Sequence, residues 1–424
     1  MTSVDSTLGH IKRFIPRRLF RLAQPFYHAS LAFIGAILYG FPARKMIVIG
    51  VTGTKGKSST VEYINAIFEE AGFKTALINT IRVKVGDVSK PESRHMTMPG
   101  RTVIQRTLAR ALKAGCSVAI LELASEGVKQ YRDRFLELNA LVFTNLSPEH
   151  IESHGSYEKY VAAKLSIADR LVASSKRPRI MVANADDAEG AKFLAKPVDV
   201  SLPFSLKDAA PYATDPNGGQ FRFDGIDILI RFPGEFSIKN ALAAATLARQ
   251  FGIATSIIKR GLEKLEIIPG RAENVAGDRA FKVIVDYAHT AESLEALYKA
   301  YEGHRRICVL GGTGGGRDTW KRPKMGAVAE EYCAHIILTN EDPYDESPMR
   351  IIEDVASGMK KIPEIILDRR AAIRRAIELA APSDVVLITG KGSNPSICGP
   401  NGTHTPWSDA LVAKEELAAL TRTR

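Results

Sequence analysis

The chain has 424 residues, 58 lysines and arginines against 47 aspartates and glutamates, and 45% hydrophobic residues. At roughly 150 residues per domain this length provides for two or three domains, each able to bury its own core, and the composition excludes a disordered or fibrous chain. Four scattered cysteines, Cys116, Cys308, Cys333 and Cys398, form no CxxC or CxxH pairing. They argue against a zinc module or a disulfide framework, so reduced thiols in a cytoplasmic protein are expected.

The net charge of +11 is uneven. Within residues 1–46, Lys12, Arg13, Arg17, Arg18, Arg21, Arg44 and Lys45 face only Asp5, which puts +6 there. The remaining 378 residues share +5, too little for a nucleic-acid-binding protein. Ile11, Phe14, Ile15, Leu19 and Leu22 fall at helical spacing between these basic residues, and Pro16 and Pro25 are expected to interrupt one long helix. The apolar run from Ala29 to Phe41 ends in Pro42 and Arg44 rather than a small-residue cleavage site, unlike a signal peptide. It is also shorter than the roughly 20 residues that span a bilayer. Two readings of residues 11–41 remain. One is peripheral contact with the inner membrane surface, and the other is a helical arm packed on the first domain.

From Met46 the pattern alternates between strand and helix. Met46–Val51 reads as a strand, Lys57–Ala71 as a helix stopped at Gly72, and Lys74–Asn79 as a strand. A polar loop through Gly86–Pro91 leads to a helix over Arg101–Ala114 and a strand over Ser117–Leu123, with further strands at Ala140–Asn145 and Arg179–Asn184. This order predicts a mostly parallel sheet covered by helices on both faces. Residues 200–235, around Asp215-Pro-Asn-Gly-Gly219, predict antiparallel hairpins at its edge, followed by a helix over Asn240–Phe251. A second series begins at Lys282–Asp286 and continues through Arg306–Gly311, His335–Thr339 and Asp384–Thr389. The loop Pro269-Gly270-Arg271 is the natural boundary. The expected organisation is an α/β chain with an arm at 1–46, a central nucleotide-binding domain at 47–271 and a doubly wound domain at 272–424.

The strongest chemical signal is Gly50-Val-Thr-Gly53-Thr54-Lys55-Gly56-Lys57-Ser58-Ser59, set between a strand and a helix. Glycines let backbone amides wrap a phosphate chain at a helix N-terminus, Lys57 can neutralise terminal phosphates, and the Ser58 hydroxyl can hold Mg²⁺. Val51 stands where the strict phosphate-loop motif has its first glycine.

This shorter GTxGKS form resembles the Mur ligases, ATP-dependent enzymes that join an amino acid to a peptidoglycan stem peptide. Further segments match in order: Leu121-Glu-Leu-Ala-Ser125, Thr144-Asn-Leu-Ser-Pro-Glu-His150, Tyr160-Val-Ala-Ala-Lys164, Pro269-Gly-Arg271 and Val285-Asp-Tyr-Ala-His-Thr290. Together with Gly316-Arg-Asp318, Lys321-Arg-Pro323 and Gly390-Lys-Gly392, they are most similar to the tripeptide synthetases that add the third stem residue. Such an enzyme phosphorylates a carboxylate with ATP, and an amine then displaces the phosphate. The site must therefore gather γ-phosphate, carboxylate and amine while shielding negative charge.

The resemblance implies Glu122 as an oxygen ligand for Mg²⁺, His150 as a ligand of a second metal, and Lys164 as a lysine carbamylated by CO₂. It implies ATP contacts from Asn240 to adenine, from Arg271 to phosphate and from Asp286. Thr97, Ser125 and Arg132 would meet a muramyl-peptide-like acceptor, with Glu126 where the synthetases carry histidine. Read without the family, these are a strand-end acid, a helix-start histidine, a solvent-facing lysine, a helix cap, a surface arginine and a strand-end carboxylate. Arg317 matches the arginine that takes the incoming α-carboxylate.

The departures fall in the amino-acid pocket. Where a diaminopimelate enzyme carries Asp-Asn-Pro-Arg, this chain has Glu341-Asp342-Pro343-Tyr344, and Gly-Lys-Gly-His-Glu becomes Gly390-Lys-Gly-Ser-Asn394. Loss of the arginine disfavours diaminopimelate, and the acids at 341 and 342 favour a cationic side chain. The 46 residues before the first strand leave no room for the family's N-terminal nucleotide-sugar domain, so uridine recognition is not implied. The alternatives are a ligase elongating poly-γ-glutamate or a folate tail, and a non-catalytic ATP-binding scaffold. The family pattern at Asp286-Tyr-Ala-His disfavours the folate form, and the intact Lys57, Glu122, His150 and Lys164 argue against the scaffold.

Overall fold

A computed structural model describes residues 17–92, 96–149, 151–316 and 318–423. The expectations attached to residues 11–16, His150 and Arg317 lie outside the described residues.

The first half is built on strands β1 (Ile47–Thr52), β2 (Thr75–Ile78), β3 (Arg82–Val85), β4 (Val88–Pro91), β5 (Val118–Glu122), β6 (Ala140–Phe143), β7 (Ile180–Asn184) and β8 (Val200–Phe204). They form one sheet in the order β4-β3-β2-β5-β1-β6-β7-β8, parallel except along the β2-β3-β4 edge. Central strands buried on both faces need continuous apolar runs, which Val118-Ala-Ile-Leu and Ile180-Met-Val-Ala supply. The surrounding helices include α1 (Arg17–Leu38), α2 (Lys57–Glu70), α3 (Arg101–Lys113), α4 (Tyr157–Val172) and α5 (Glu235–Gln250). Ile64, Ile67 and Phe68 of α2 and Leu242 and Leu247 of α5 share a core on one face. Ile104 and Leu108 of α3 and Ile167 and Leu171 of α4 fill the other.

The second half holds β12 (Glu273–Asn274), β13 (Lys282–Val285), β14 (Arg306–Leu310), β15 (His335–Leu338), β16 (Glu364–Ile365) and β17 (Val385–Ile388), after β9 (Tyr212–Asp215), β10 (Gly218–Phe223) and β11 (Ile226–Ile230). The order is β12-β13-β17-β14-β15-β16, parallel apart from β12. Leu294, Tyr298, Met325 and Ile352 cover one face, and Ile373, Ile377, Val412 and Leu417 the other. This is the doubly wound arrangement expected from the alternating pattern.

The structure departs from the sequence reading in several places. Helix α1 runs unbroken through Pro25, so the expected interruption there does not occur. Packing of α1 on α3 (Gly35 lies against Thr102) offsets the single hydrogen bond that proline removes. Gly86-Asp87 closes a hairpin whose second strand, β4, is fully exposed, so no apolar periodicity marked it. Val200–Phe204 joins the main sheet as a parallel edge strand, while β9-β10-β11 form a separate antiparallel sheet rather than hairpins on that edge. Helix α5 starts five residues before Asn240.

Cys308 and Cys333 are joined by a disulfide, contrary to the expectation of reduced thiols. Cys308 lies on β14, and Cys333 caps the helix that returns to the adjacent strand β15. The parallel crossover thus brings residues 25 apart in sequence to a Cα separation of 6.1 Å, within bridging range. Cys116 and Cys398 are free and buried. Among the described residues, no helix is long and apolar enough to cross a membrane.

Candidate active site

A cavity of about 800 Å³ lies where the C-terminal edges of the main sheet meet the first strand and turn of the second half. Its floor is the loop between β1 and α2. Gly53 and Gly56 both have positive φ, at 150° and 80°. A Cβ on Gly53 would strike Thr144 Oγ1 at 2.0 Å, and one on Gly56 would strike Asn240 Oδ1 at 2.3 Å. The two glycines thus let the loop lie flat against β6 and α5, which brings Asn240 to the phosphate loop. Asn240 is buried within α5 and lines the cavity, so it is not a helix cap.

Around the loop, polar groups converge on Glu122 at the end of β5. Its Oε2 accepts hydrogen bonds from Ser58 Oγ at 2.8 Å, Thr80 Oγ1 at 3.0 Å and the Thr80 amide at 3.1 Å. Its Oε1 lies 3.8 Å from Lys57 Nζ, which also donates to the Thr54 carbonyl at 2.9 Å. Lys164, on α4, points inward rather than to solvent. Its Nζ donates to the Gly53 carbonyl at 2.7 Å, and burial, reinforced by the Lys57 charge, pushes its pKa well below that of an ordinary lysine.

The second half reaches into the same cavity. Glu149 Oε1 accepts from Lys55 Nζ at 3.0 Å and lies 2.8 Å from His289 Nε2, joining the phosphate loop to the strand-end turn after β13. Burial, with the neighbouring Lys55 charge, lowers the His289 pKa to about 4. Arg271 stacks over Tyr287 with its guanidinium carbon 4.6 Å from the ring centre and reaches Ser58 Oγ at 3.4 Å. Asp286 accepts the amides of Ala272 and Ala288, each at 2.7 Å, and burial raises its pKa.

The far wall carries Thr97, Ser125 and Arg132. Thr97 Oγ1 lies 3.2 Å from Thr80 Oγ1 and donates to it while Thr80 donates to Glu122, which links this wall to Glu122. Arg132 is held by the Met98 carbonyl and by Gln130 Oε1 at 2.7 Å. Glu126, also on the wall, accepts from Ser153 Oγ at 2.6 Å and Lys129 at 3.4 Å.

The structure therefore brings together Gly56, Thr54, Lys55, Lys57, Ser58, Ser59, Glu122, Lys164, Asn240, Arg271, Asp286, Thr97, Ser125 and Arg132, all of which line one cavity. It does not place Asp342, Tyr344, Gly390 or Asn394 there. Asp342 Oδ1 accepts from Lys391 Nζ at 2.6 Å and from the Cys398 amide at 2.7 Å, so its charge is already committed within the fold. Glu341 accepts from Thr313 Oγ1 at 2.8 Å, and burial beside Asp342 raises its pKa. The 390–394 loop sits behind the cavity wall. A Cβ on Gly270 would meet Ser393 N at 2.1 Å, and one on Gly392 would meet the Tyr287 Cβ at 2.7 Å. His150 and Arg317 lie outside the described residues.

Among the polar residues at the site that drew no role from the sequence are Thr80, Glu149 and His289. Glu149 and His289 sit inside two of the quoted motifs, next to residues that did, whereas Thr80 belongs to none.

A phosphate loop below one sheet, faced by an arginine and a strand-end turn from a doubly wound second sheet, has the form of a nucleotide-dependent enzyme whose two halves meet over that loop. The model of the Mur ligase middle domain matches residues 51–248, and that of the Mur ligase, glutamate ligase domain matches residues 270–392. The chain is 35% identical over 386 residues to UDP-N-acetylmuramoyl-L-alanyl-D-glutamate--2,6-diaminopimelate ligase of Syntrophomonas wolfei, covering 88% of this chain and 78% of the relative. It is 33% identical to UDP-N-acetylmuramyl-tripeptide synthetase of Roseiflexus sp., covering 94% and 84%. Among solved structures, folylpolyglutamate synthase of Mycobacterium tuberculosis superposes with a TM-score of 0.67 at 16% identity, covering 93% of this chain and 95% of that one. The chain belongs to the Mur ligase family and is an ATP-dependent, amide-bond-forming ligase.

Proposed function

We propose that this ligase adds an amino acid to the free carboxylate of a muramyl-peptide-like acceptor, as in the third-residue step of stem-peptide synthesis. The observation that carries this reading is the polar path from Lys57 and Ser58 through Glu122 and Thr80 to Thr97, on a cavity wall that also carries Ser125 and Arg132. A γ-phosphate on the loop and an acceptor carboxylate on the wall would meet along it. Lys57 and Arg271 would hold phosphate oxygens, Asn240 the adenine, and Arg132 and Ser125 the acceptor. The loop Pro269-Gly-Arg271 is the proposed boundary between domains at 47–271 and 272–424.

Mg²⁺ fits the residues present. Among the described residues no group of three or more His, Cys, Asp or Glu could hold a metal. Mg²⁺, however, is commonly held by one or two carboxylates with phosphate oxygens and water. The buried Glu122 carboxylate beside the Ser58 hydroxyl is such a donor pair. When bound, the ion would supply charge neutralisation at the transferring phosphate. Lys164 fits the carbamylation reading because its burial favours the neutral amine that CO₂ requires. Intact mass under bicarbonate should show the added CO₂, and Lys164→Ala should be folded and inactive. An unmodified, active enzyme would overturn that role.

Tyr344 in place of arginine supports an incoming amino acid without a distal carboxylate. A panel of amino acids with purified enzyme, ATP and muramyl-peptide acceptors with and without UDP tests the whole reading by phosphate release and product mass. Absence of any amino-acid-dependent product with muramyl peptides, against turnover with a folate or glutamate polymer, would replace it.

A further inference from the structure

The arm offers a surface that the reaction does not use. Helix α1 buries Ala32 and Ala36 and rests Gly35 on Thr102 of α3. Its other side is apolar and open. Phe26, Phe33, Ile34, Ile37 and Leu38 are between 48% and 78% exposed, on successive turns of one face. Five large hydrophobic side chains on one helical face form a patch that an isolated protein in water does not ordinarily leave bare.

Charge says what covers it. Residues 17–45 contain Arg17, Arg18, Arg21, Arg44 and Lys45 and no acidic residue. The supporting helix α3 carries Arg101, Arg106, Arg110 and Lys113, again with no acid, and the last three are exposed. An apolar stripe beside a field of cations, among which Arg44 pairs with Glu137 at 3.7 Å, suits the interface of an anionic bilayer, where the apolar side chains enter the acyl boundary and the cations meet headgroups. No described helix can cross the membrane, so contact is parallel to its surface.

The helix also adjoins the acceptor end of the cavity. Arg101, the first residue of α3, contacts His28 of α1 and donates from Nε to the Gln130 carbonyl at 2.7 Å. Gln130 lines the cavity and holds Arg132. We infer that α1 and α3 seat the enzyme on an anionic membrane surface and present the Arg132 end of the cavity to acceptors anchored in that membrane by a lipid. The lipid-anchored acceptor rests on the ligase reading above, whereas bilayer binding does not.

Flotation of the full chain with phosphatidylglycerol/phosphatidylcholine vesicles, and with phosphatidylcholine alone, tests the first part. Binding to the anionic vesicles should weaken with salt. It should fall at least about tenfold in Ile34→Glu/Ile37→Glu and, with the apolar stripe intact, in Arg106→Glu/Arg110→Glu. Absence of vesicle binding, or binding that neither variant changes, overturns the proposal. A dimer in sedimentation that the Ile34→Glu/Ile37→Glu variant dissociates, without vesicle binding, overturns it in favour of a second copy on the patch. For the second part, kcat/KM is compared on a soluble muramyl peptide and on its lipid-linked form in the same vesicles. The Ile34→Glu/Ile37→Glu variant should lose at least about tenfold on the lipid-linked acceptor only, and an equal effect on both overturns the tethered acceptor. If neither acceptor turns over while vesicle binding behaves as stated, the muramyl-peptide reading fails and the membrane contact stands.

Discussion

Two lysine–carboxylate pairs, one in each half, show how the same chemistry is put to different uses. Lys57 and Glu122 stand 3.8 Å apart on the cavity wall, and the lysine side chain keeps 15% of its surface exposed. Lys391 and Asp342 close to 2.6 Å with the lysine fully buried, and the same carboxylate oxygen takes the Cys398 amide. A loose pair open to the cavity can exchange its carboxylate for a phosphate at small cost. A sealed pair cannot, because separating it strands a charge in a medium that solvates it poorly. The first pair is therefore suited to binding and the second to holding β15 and the loop after β17 together.

The sharpest way to break this contrast is stability. Lys391→Met should cost about 3–5 kcal/mol, since it leaves Asp342 buried without its cation. Lys57→Met should leave the denaturant midpoint almost unchanged. Comparable losses in both variants would mean that the two pairs do not differ as described. In activity the order reverses. Lys57→Ala should lower ligation at least about a hundredfold, equivalent to about 2.7 kcal/mol, by removing preorganised charge from the phosphoryl-transfer centre. Steady-state phosphate release with near-normal turnover would end its assigned role.

A smaller effect concerns the amino acid. With Tyr344 in place of an arginine and Asp342 already paired, the distal carboxylate of meso-diaminopimelate would be desolvated without a partner. Lysine should therefore be preferred by about 1–3 kcal/mol in kcat/KM. Higher specificity for diaminopimelate would show that another cation receives that group.

The last effect is on pH. Unfolded His289 takes up a proton near 6.5, whereas in the folded protein burial and Lys55 delay this to about 4. Its contribution is therefore complete above pH 6.5 and is lost as pH falls toward 4, by up to about 1.4 kcal/mol per pH unit for one proton. Stability of His289→Gln, measured across that window, should show a shallower slope. Identical slopes would mean that His289 is not the group that titrates.

The phosphate end was legible in the sequence because its parts are contiguous. A strand, a glycine-containing turn and a helix start are all local, and local backbone geometry is what residue types at fixed spacing dictate. The alternation of apolar runs with helical segments likewise determined two parallel sheets, each covered on both faces. Thr80 escaped notice because its partner, Glu122, is 42 residues away on the neighbouring strand. The inward turn of Lys164 depends on which face of α4 packs on β6 and the phosphate loop, and periodicity alone leaves a lysine free to point outward. The sealing of Asp342 by Lys391, the approach of Cys308 to Cys333 and the passage of α1 through Pro25 all follow from packing between segments distant in sequence. By itself the sequence determined which short segments can form and what chemistry each can carry. Tertiary structure alone decided which charges meet and which are closed off from water, because both depend on the distance and burial that folding sets between residues far apart along the chain.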